Sequence, residues 1–314
     1  MKKLFIIGNG FDLAHRIPSK YEDFRLYLIS LLNKESGRDY SNYDFTVNDG
    51  IITGDYIKCL ENDILTIMFF LSNAENGTEW KNIEDSVGRL NYDDFSWLYV
   101  DESEDEKEQR ANYINEGIFL PYRDVLASIP DFFSKWIKQI NINEDYRKYV
   151  SSELSSLFDD KTKCICFNYT DTLEYLYNIK REKICYIHGK AKANSKLYFG
   201  HGNSVDYQDY LVDKDINWLS TAEGEWMVDY ALRKPVENIL NENSLFFESI
   251  KDVDEVYSFG FSYGSVDKPY IKKIIDKISI NAKWMINKFP SDKEKQDYKN
   301  IIRECGYKGK VEEF

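Results

Sequence analysis

Apolar and polar positions along the chain change their period twice. Leu4–Ile7 is an unbroken apolar run that stops at Gly8-Asn9-Gly10-Phe11-Asp12. Such a run reads as a strand buried on both faces, delivering its carboxyl end to a turn. Glycine at 8 and 10 permits a sharp turn and close backbone approach, and a helix starting near Phe11–Leu13 would aim its free N–H groups at the same spot. Pro18 and Ser19 then signal a loop, with Ser19 and Glu22 spaced as a capping box. A helix is predicted over Lys20–Asn33, with Tyr21, Phe24, Leu28 and Leu31 on one apolar face. Residues 35–55 read as a loop. Helical patterns follow at Tyr56–Leu71, Trp80–Val100, Ala111–Ala127 and Asp131–Leu157, with a break at Ser72–Thr78.

From Thr162 the texture alternates between short apolar runs and amphipathic ones. Strands are predicted at Lys163–Phe167, Lys183–Ile187, Leu197–Phe199, Glu255–Phe259, Ala282–Asn287 and Val311–Phe314. Helices are predicted at Asp171–Asn178, Lys268–Ser279 and Asp292–Cys305, with a mixed helical stretch over 206–250. This alternation predicts an α/β fold with a mostly parallel sheet. The division it implies is a core from residues 1–19 and 159–314, interrupted after the first strand by a largely helical insertion over 20–158.

Composition narrows the function classes. With 314 residues, 43% of them hydrophobic, the chain can bury a substantial core. A formal net charge of −13 opposes broad nucleic-acid binding. No apolar run approaches the ~20 residues of a membrane span, and the first run is too short for a signal peptide. A cytoplasmic chain with five reduced cysteines is therefore expected. Cys164 and Cys166 share a strand face, and without a Cys-x-x-Cys pair they read as small hydrophobes, so no metal site is expected. The acidic run Asp101–Glu108 reads as a solvated segment.

Four strand ends carry polar clusters: Gly8–Asp12; Asn168-Tyr169-Thr170-Asp171 with Glu174; His188-Gly189; and Gly260-Phe261-Ser262-Tyr263-Gly264 with Asp267. Ligands of open α/β sheets bind outside the carboxyl ends of strands. Convergence of the four on one rim would build a ligand site. Thr170 or Asp171 caps the following helix in this reading, with Glu174 in its first turn, whereas Asn168 at the strand end has no such structural explanation. Of the three histidines, His188 has the context of a site, while His15 and His201 read equally well as hydrogen-bonded structural side chains.

The segments 8–24, 167–174 (Phe-Asn-Tyr-Thr-Asp-Thr-Leu-Glu), 187–190 (Ile-His-Gly-Lys), 199–203 (Phe-Gly-His-Gly-Asn) and 260–267 (Gly-Phe-Ser-Tyr-Gly-Ser-Val-Asp) closely resemble the bacterial AbiH family of phage abortive-infection proteins. More distantly, the order of elements looks like the sirtuin-like superfamily. That resemblance implies a Rossmann-like sheet binding NAD, with several antiphage members hydrolysing it through an Asn and a His. Carried over by position, Asn168 and His188 would be the catalytic pair. Gly8, Gly10 and Asp12 would hold the phosphates and ribose, Ser262 with Gly260 would line the adenosine side, and Asn9, His15, Asp171, His201 and Asp267 complete the expected cofactor-binding set. The chain departs from the sirtuin pattern in placing Asp12 where a serine stands and in lacking a four-cysteine zinc module, which argues against protein deacylation.

Three hypotheses follow. The first is hydrolysis of NAD⁺ to nicotinamide and ADP-ribose, with Asn168 positioning water or ribose and His188 as general base. The second is a non-catalytic nucleotide sensor that signals through the helical insertion. The third is a nuclease using Asp12, Asp171, Glu174 and Asp267 to hold Mg²⁺. The implied ligand is a small-molecule nucleotide; a phage protein as trigger and a homo-oligomeric state are compatible with all three.

Overall fold

The computed structural model describes residues 1–46, 62–75, 80, 82–89, 120–192, 196–203, 205–211 and 219–314. The chain divides into two compact units, one formed by Met1–Lys20, Ser134–Tyr198 and Pro235–Phe314, the other by Tyr21–Phe133 and Phe199–Lys234.

The first unit holds a six-stranded sheet: β1 (Lys3–Ile7), β2 (Lys163–Cys166), β3 (Ile184–Tyr186), β4 (Glu255–Phe259), β5 (Lys283–Ile286) and β6 (Lys310–Glu313). All neighbouring strands run parallel, in the order β3-β2-β1-β4-β5-β6. The fold is thus α/β with a Rossmann-like parallel sheet. β1 lies between β2 and β4, which explains why Leu4–Ile7 is apolar throughout. Leu4 and Ile6 join Val256, Trp284 and Ile286 on one face. Phe5 and Ile7 join Cys164, Cys166 and Phe259 on the other. Each such side chain contributes about 1.5–3 kcal/mol of burial. From β1 the chain steps outward through β2 and β3, then returns to the other side of β1 as β4. The carboxyl ends of β1 and β4 therefore meet where the winding reverses, which is where such sheets hold ligands.

Several predicted elements differ from those observed. The first helix is Asn9–Ala14, beginning directly at the glycine turn. Leu197–Phe199 forms no strand: Tyr198 donates one backbone bond to the His188 carbonyl and no ladder follows. Asp131–Leu157 is not one helix but an α-helix at Ile129–Ile137, a 3-10 turn at Glu144–Tyr149 and an α-helix at Ser152–Leu157. The Asn143 and Ser151 side chains cap the latter two, so each restarts the chain locally. Ser19 gives its hydroxyl to Asn9 Oδ1 rather than to a capping box.

The second unit is helical. Tyr21–Ser36 buries Phe24, Leu28, Ile29 and Leu32, one step around from the face predicted through Leu31. Phe24 packs edge-on against Trp80 and Phe133, with centroids at 6.3 and 5.4 Å. Asp63–Ala74 runs past the break expected at Ser72. The predicted helical positions 56–61, 90–100 and 111–119, the acidic run Asp101–Glu108 and Cys59 lie outside the described residues. No helix among the described residues is long and apolar enough to cross a membrane.

Candidate functional site at the carboxyl edge of the sheet

Three glycines make the crossing of β1 and β4. Gly8 N–H donates to the Phe259 carbonyl (3.1 Å) and Gly10 N–H to the Gly260 carbonyl (2.9 Å). A Cβ on Gly10 would lie 2.6 Å from Gly260 Cα. One on Gly260, whose φ is +61°, would lie 2.1 Å from Phe11 N. The turn after β1 therefore gives these two N–H groups to the β4 loop, and its glycines serve backbone-to-backbone approach. Asn9 is engaged too: its Nδ2 donates to the Ser19 carbonyl (2.8 Å) and its Oδ1 accepts from Ser19 Oγ (2.7 Å).

Beside the crossing lies a cavity of about 240 Å³, lined by Gly10, Ser258, Gly260, Phe261, Ser262, Tyr263, Ile286, Asn287, Pro290 and Tyr298. Small-molecule sites typically run to about 300–1,000 Å³, so this volume suits a fragment of a dinucleotide, not the whole. Tyr263 sits in the left-handed region at φ +56°. Its O–H donates to Ser258 Oγ (2.7 Å) and accepts from Trp284 Nε1 (2.9 Å), which holds the strained turn in place. Asp267 ends the Ser265–Asp267 turn before the Lys268–Ile275 helix and is not among the residues lining the cavity.

On the other side of β1, Asp12 is 1% exposed. Its Oδ2 accepts from Thr170 Oγ1 (2.6 Å) and its Oδ1 from Thr172 Oγ1 (2.7 Å). Burial raises its pKa from 3.8 to about 6, against the lowering by Thr170, Thr172 and the nearby Asn168 side chain. Asn168 is 5% exposed, and its Nδ2 has no hydrogen-bond partner among the described residues. Asp171 begins the Thr172–Tyr177 helix without a side-chain cap and faces Lys192 at 3.4 Å. Thr170, read from the sequence as a possible helix cap, and Thr172, to which the sequence assigns no role, are the site residues that sequence reasoning missed. Their partner is 158 and 160 residues away, so no local signal marks the pairing.

The three histidines separate. His15 Nδ1 lies 2.6 Å from the Phe11 carbonyl and Nε2 2.7 Å from Tyr177 Oη. Burial lowers its pKa, so the neutral ring donates from Nδ1 and accepts at Nε2. Both nitrogens are engaged in holding the first helix. His188 is 3% exposed and enclosed by aromatic rings, edge-on to Phe167 (5.4 Å) and Tyr270 (5.7 Å) and tilted against Tyr169 (6.0 Å). His201 belongs to the second unit. Its Nε2 contacts the Asp229 carbonyl (2.9 Å) and Oδ1 (3.3 Å), and its Nδ1 accepts from Asn203 N–H (3.2 Å). Burial lowers its pKa as well. Asp229 in turn holds Arg233, and the fully buried Lys234 pairs with Glu84 at 2.9 Å.

The carboxyl edge of the sheet thus gathers Gly8, Asn9, Gly10, Asp12, Asn168, Asp171, His188, Gly260 and Ser262. These motifs fall within one family model: that of bacteriophage abortive infection AbiH matches residues 4–288. The chain belongs to the AbiH family. No curated protein and no solved structure matches it. Among the described residues of this AbiH chain, no three His, Cys, Asp or Glu side chains are grouped to hold a metal ion.

Proposed function

We propose that this member of a phage abortive-infection family binds an NAD-type dinucleotide at the carboxyl edge of its sheet and hydrolyses the bond between ribose and nicotinamide. The observation that carries the reading is the meeting of a buried carboxyl, Asp12, with the buried Asn168 amide, which favours the ionised carboxylate yet makes no hydrogen bond of ordinary length, at the ends of adjacent strands. Nicotinamide leaves as a neutral ring, taking the electron pair of the broken C–N bond, so no general acid is required. Water forms the new C–O bond and gives up a proton. Asp12, ionised above pH 6, is placed to take that proton, and Asn168 to orient the water or the ribose hydroxyls. His188, the base expected from the resemblance, serves in this reading as part of an aromatic wall. The Gly260–Ser262 cavity takes the adenosine end.

Nicotinamide release from NAD⁺ tests this. Asn168→Ala and Asp12→Asn should each lower the rate about 10²-fold or more, and the wild-type rate should climb with pH to a plateau above about 6. Release at wild-type rates in both variants would falsify the assignment. His188→Ala separates the two candidate bases, because loss of the pH inflection there and not in Asp12→Asn returns the role to the imidazole. A second reading, binding without cleavage, is favoured by the engagement of both Asp12 oxygens with Thr170 and Thr172, which occupies the carboxylate that would take the proton. It predicts tight NAD⁺ binding and no nicotinamide over hours.

A further inference from the structure

Asn168 is not alone in lacking a partner. Among the described residues Glu174 Oε1 and the Tyr186 hydroxyl are also buried without a hydrogen bond. The three belong to one neighbourhood. Cys166 Sγ donates to the Asn168 carbonyl (3.5 Å), and Cys166 stands in register with Tyr186 on the adjacent strand. Glu174 Oε2 pairs with Lys190, while Arg181 Nε approaches Glu174 Oε1 at 3.8 Å without hydrogen bonding. Both cations lie over the Tyr186 ring, at 5.0 Å for Arg181 and 5.6 Å for Lys190. Tyr186 is 6% exposed, so its hydroxyl is a polar atom sealed in the fold. Leaving a polar group buried and unpaired costs stability. Three in one place call for an occupant.

Charge balance selects its chemistry. Asp12, Asp171 and Glu174 supply three carboxylates, and Arg181, Lys190 and Lys192 supply three cations, of which Lys190, Arg181 and Lys192 already face Glu174 and Asp171. Among the described residues these cations already face Glu174 or Asp171, which leaves no free charge for a phosphate, and Asp12 is held by two threonine hydroxyls. The unpaired set combines a donor (Asn168 Nδ2), an acceptor (Glu174 Oε1) and a group able to do either (Tyr186). Hydroxyl groups, which donate and accept at once, complement that set. Resting on the NAD reading above, we infer that Glu174 and Tyr186 join Asn168 in binding the vicinal hydroxyls of the ribose on the nicotinamide side.

Calorimetric titration of the full chain with ADP-ribose, and with ADP, which lacks the terminal ribose, tests the inference. Wild type should prefer ADP-ribose by tenfold or more. Tyr186→Phe and Glu174→Gln should each erase that preference while leaving ADP affinity unchanged. Tyr186→Phe removes only an unpaired hydroxyl, so its melting temperature should hold or rise, which keeps that variant informative if Glu174→Gln misfolds. A preference that survives in Tyr186→Phe overturns the inference and leaves the NAD reading standing. So does a fall of several degrees in its melting temperature at unchanged ADP-ribose affinity, since the hydroxyl would then be serving a structural water. Wild type that binds neither ligand overturns both.

Discussion

Burial holds Asp12 near pH 6 even though two threonine hydroxyls and a neighbouring amide favour its ionised form. The folded chain therefore binds a proton there more readily than the unfolded chain, whose carboxyl titrates at 3.8. With the folded pKa above the unfolded one, the Asp12 contribution to stability is full below about pH 4 and is lost as pH rises through 6. The difference is worth roughly 3 kcal/mol. His15 has the opposite sign: its folded pKa is below 6.5, so its contribution is present above 6.5 and lost as pH falls. Unfolding free energies of wild type and Asp12→Asn, followed from pH 7 to pH 4, should diverge in favour of wild type by an amount near that figure. A constant offset would mean that Asp12 does not titrate in this range. At this scale the candidate site was only half legible. Asp12 and Asn168 stand at recognisable strand ends, yet the threonines that fix Asp12 look like ordinary helix-start residues until the sheet brings them across.

The strands follow from their sequences because each central run is apolar on both faces and stops at a glycine or asparagine. β4 occupies Glu255–Phe259, the predicted span, and β1 gains only Lys3. Leu197–Phe199 carries the same kind of short apolar signal but no neighbour accepts it into the ladder, and three residues hold too little information to tell the cases apart. The glycine turn teaches a similar lesson. Gly-x-Gly announces close approach, but the approaching group is the Gly260 backbone, which no local pattern names. Gly260→Ala should consequently destabilise the first unit by about 3 kcal/mol or more, through both the positive φ and a Cβ driven into Phe11 N. Chemical denaturation would read that as a lower midpoint, and an unchanged midpoint would show the loop yields freely.

The two units draw on different chemistry. The first is held by a sheet with apolar layers on both faces, the second by helices around a buried ionic network of His201, Asp229, Arg233, Lys234 and Glu84. Lys234→Ala leaves Glu84 without its buried cation, at a cost of about 3–5 kcal/mol. Hydrogen exchange should then accelerate in Tyr21–Phe133 and Phe199–Lys234 while the strands stay protected. Uniform acceleration across the chain would instead mean that the units unfold as one.

The placing of β1 between β2 and β4 has a consequence for how the molecule is made. Its partners are encoded near residues 163 and 255, so this apolar segment leaves the ribosome long before either exists. At 5–20 residues per second the wait is on the order of 10–50 s. Throughout synthesis Leu4–Ile7 is an unsatisfied sticky end, a natural target for a holding chaperone, and a ribosome stalled before β4 releases a product that aggregates.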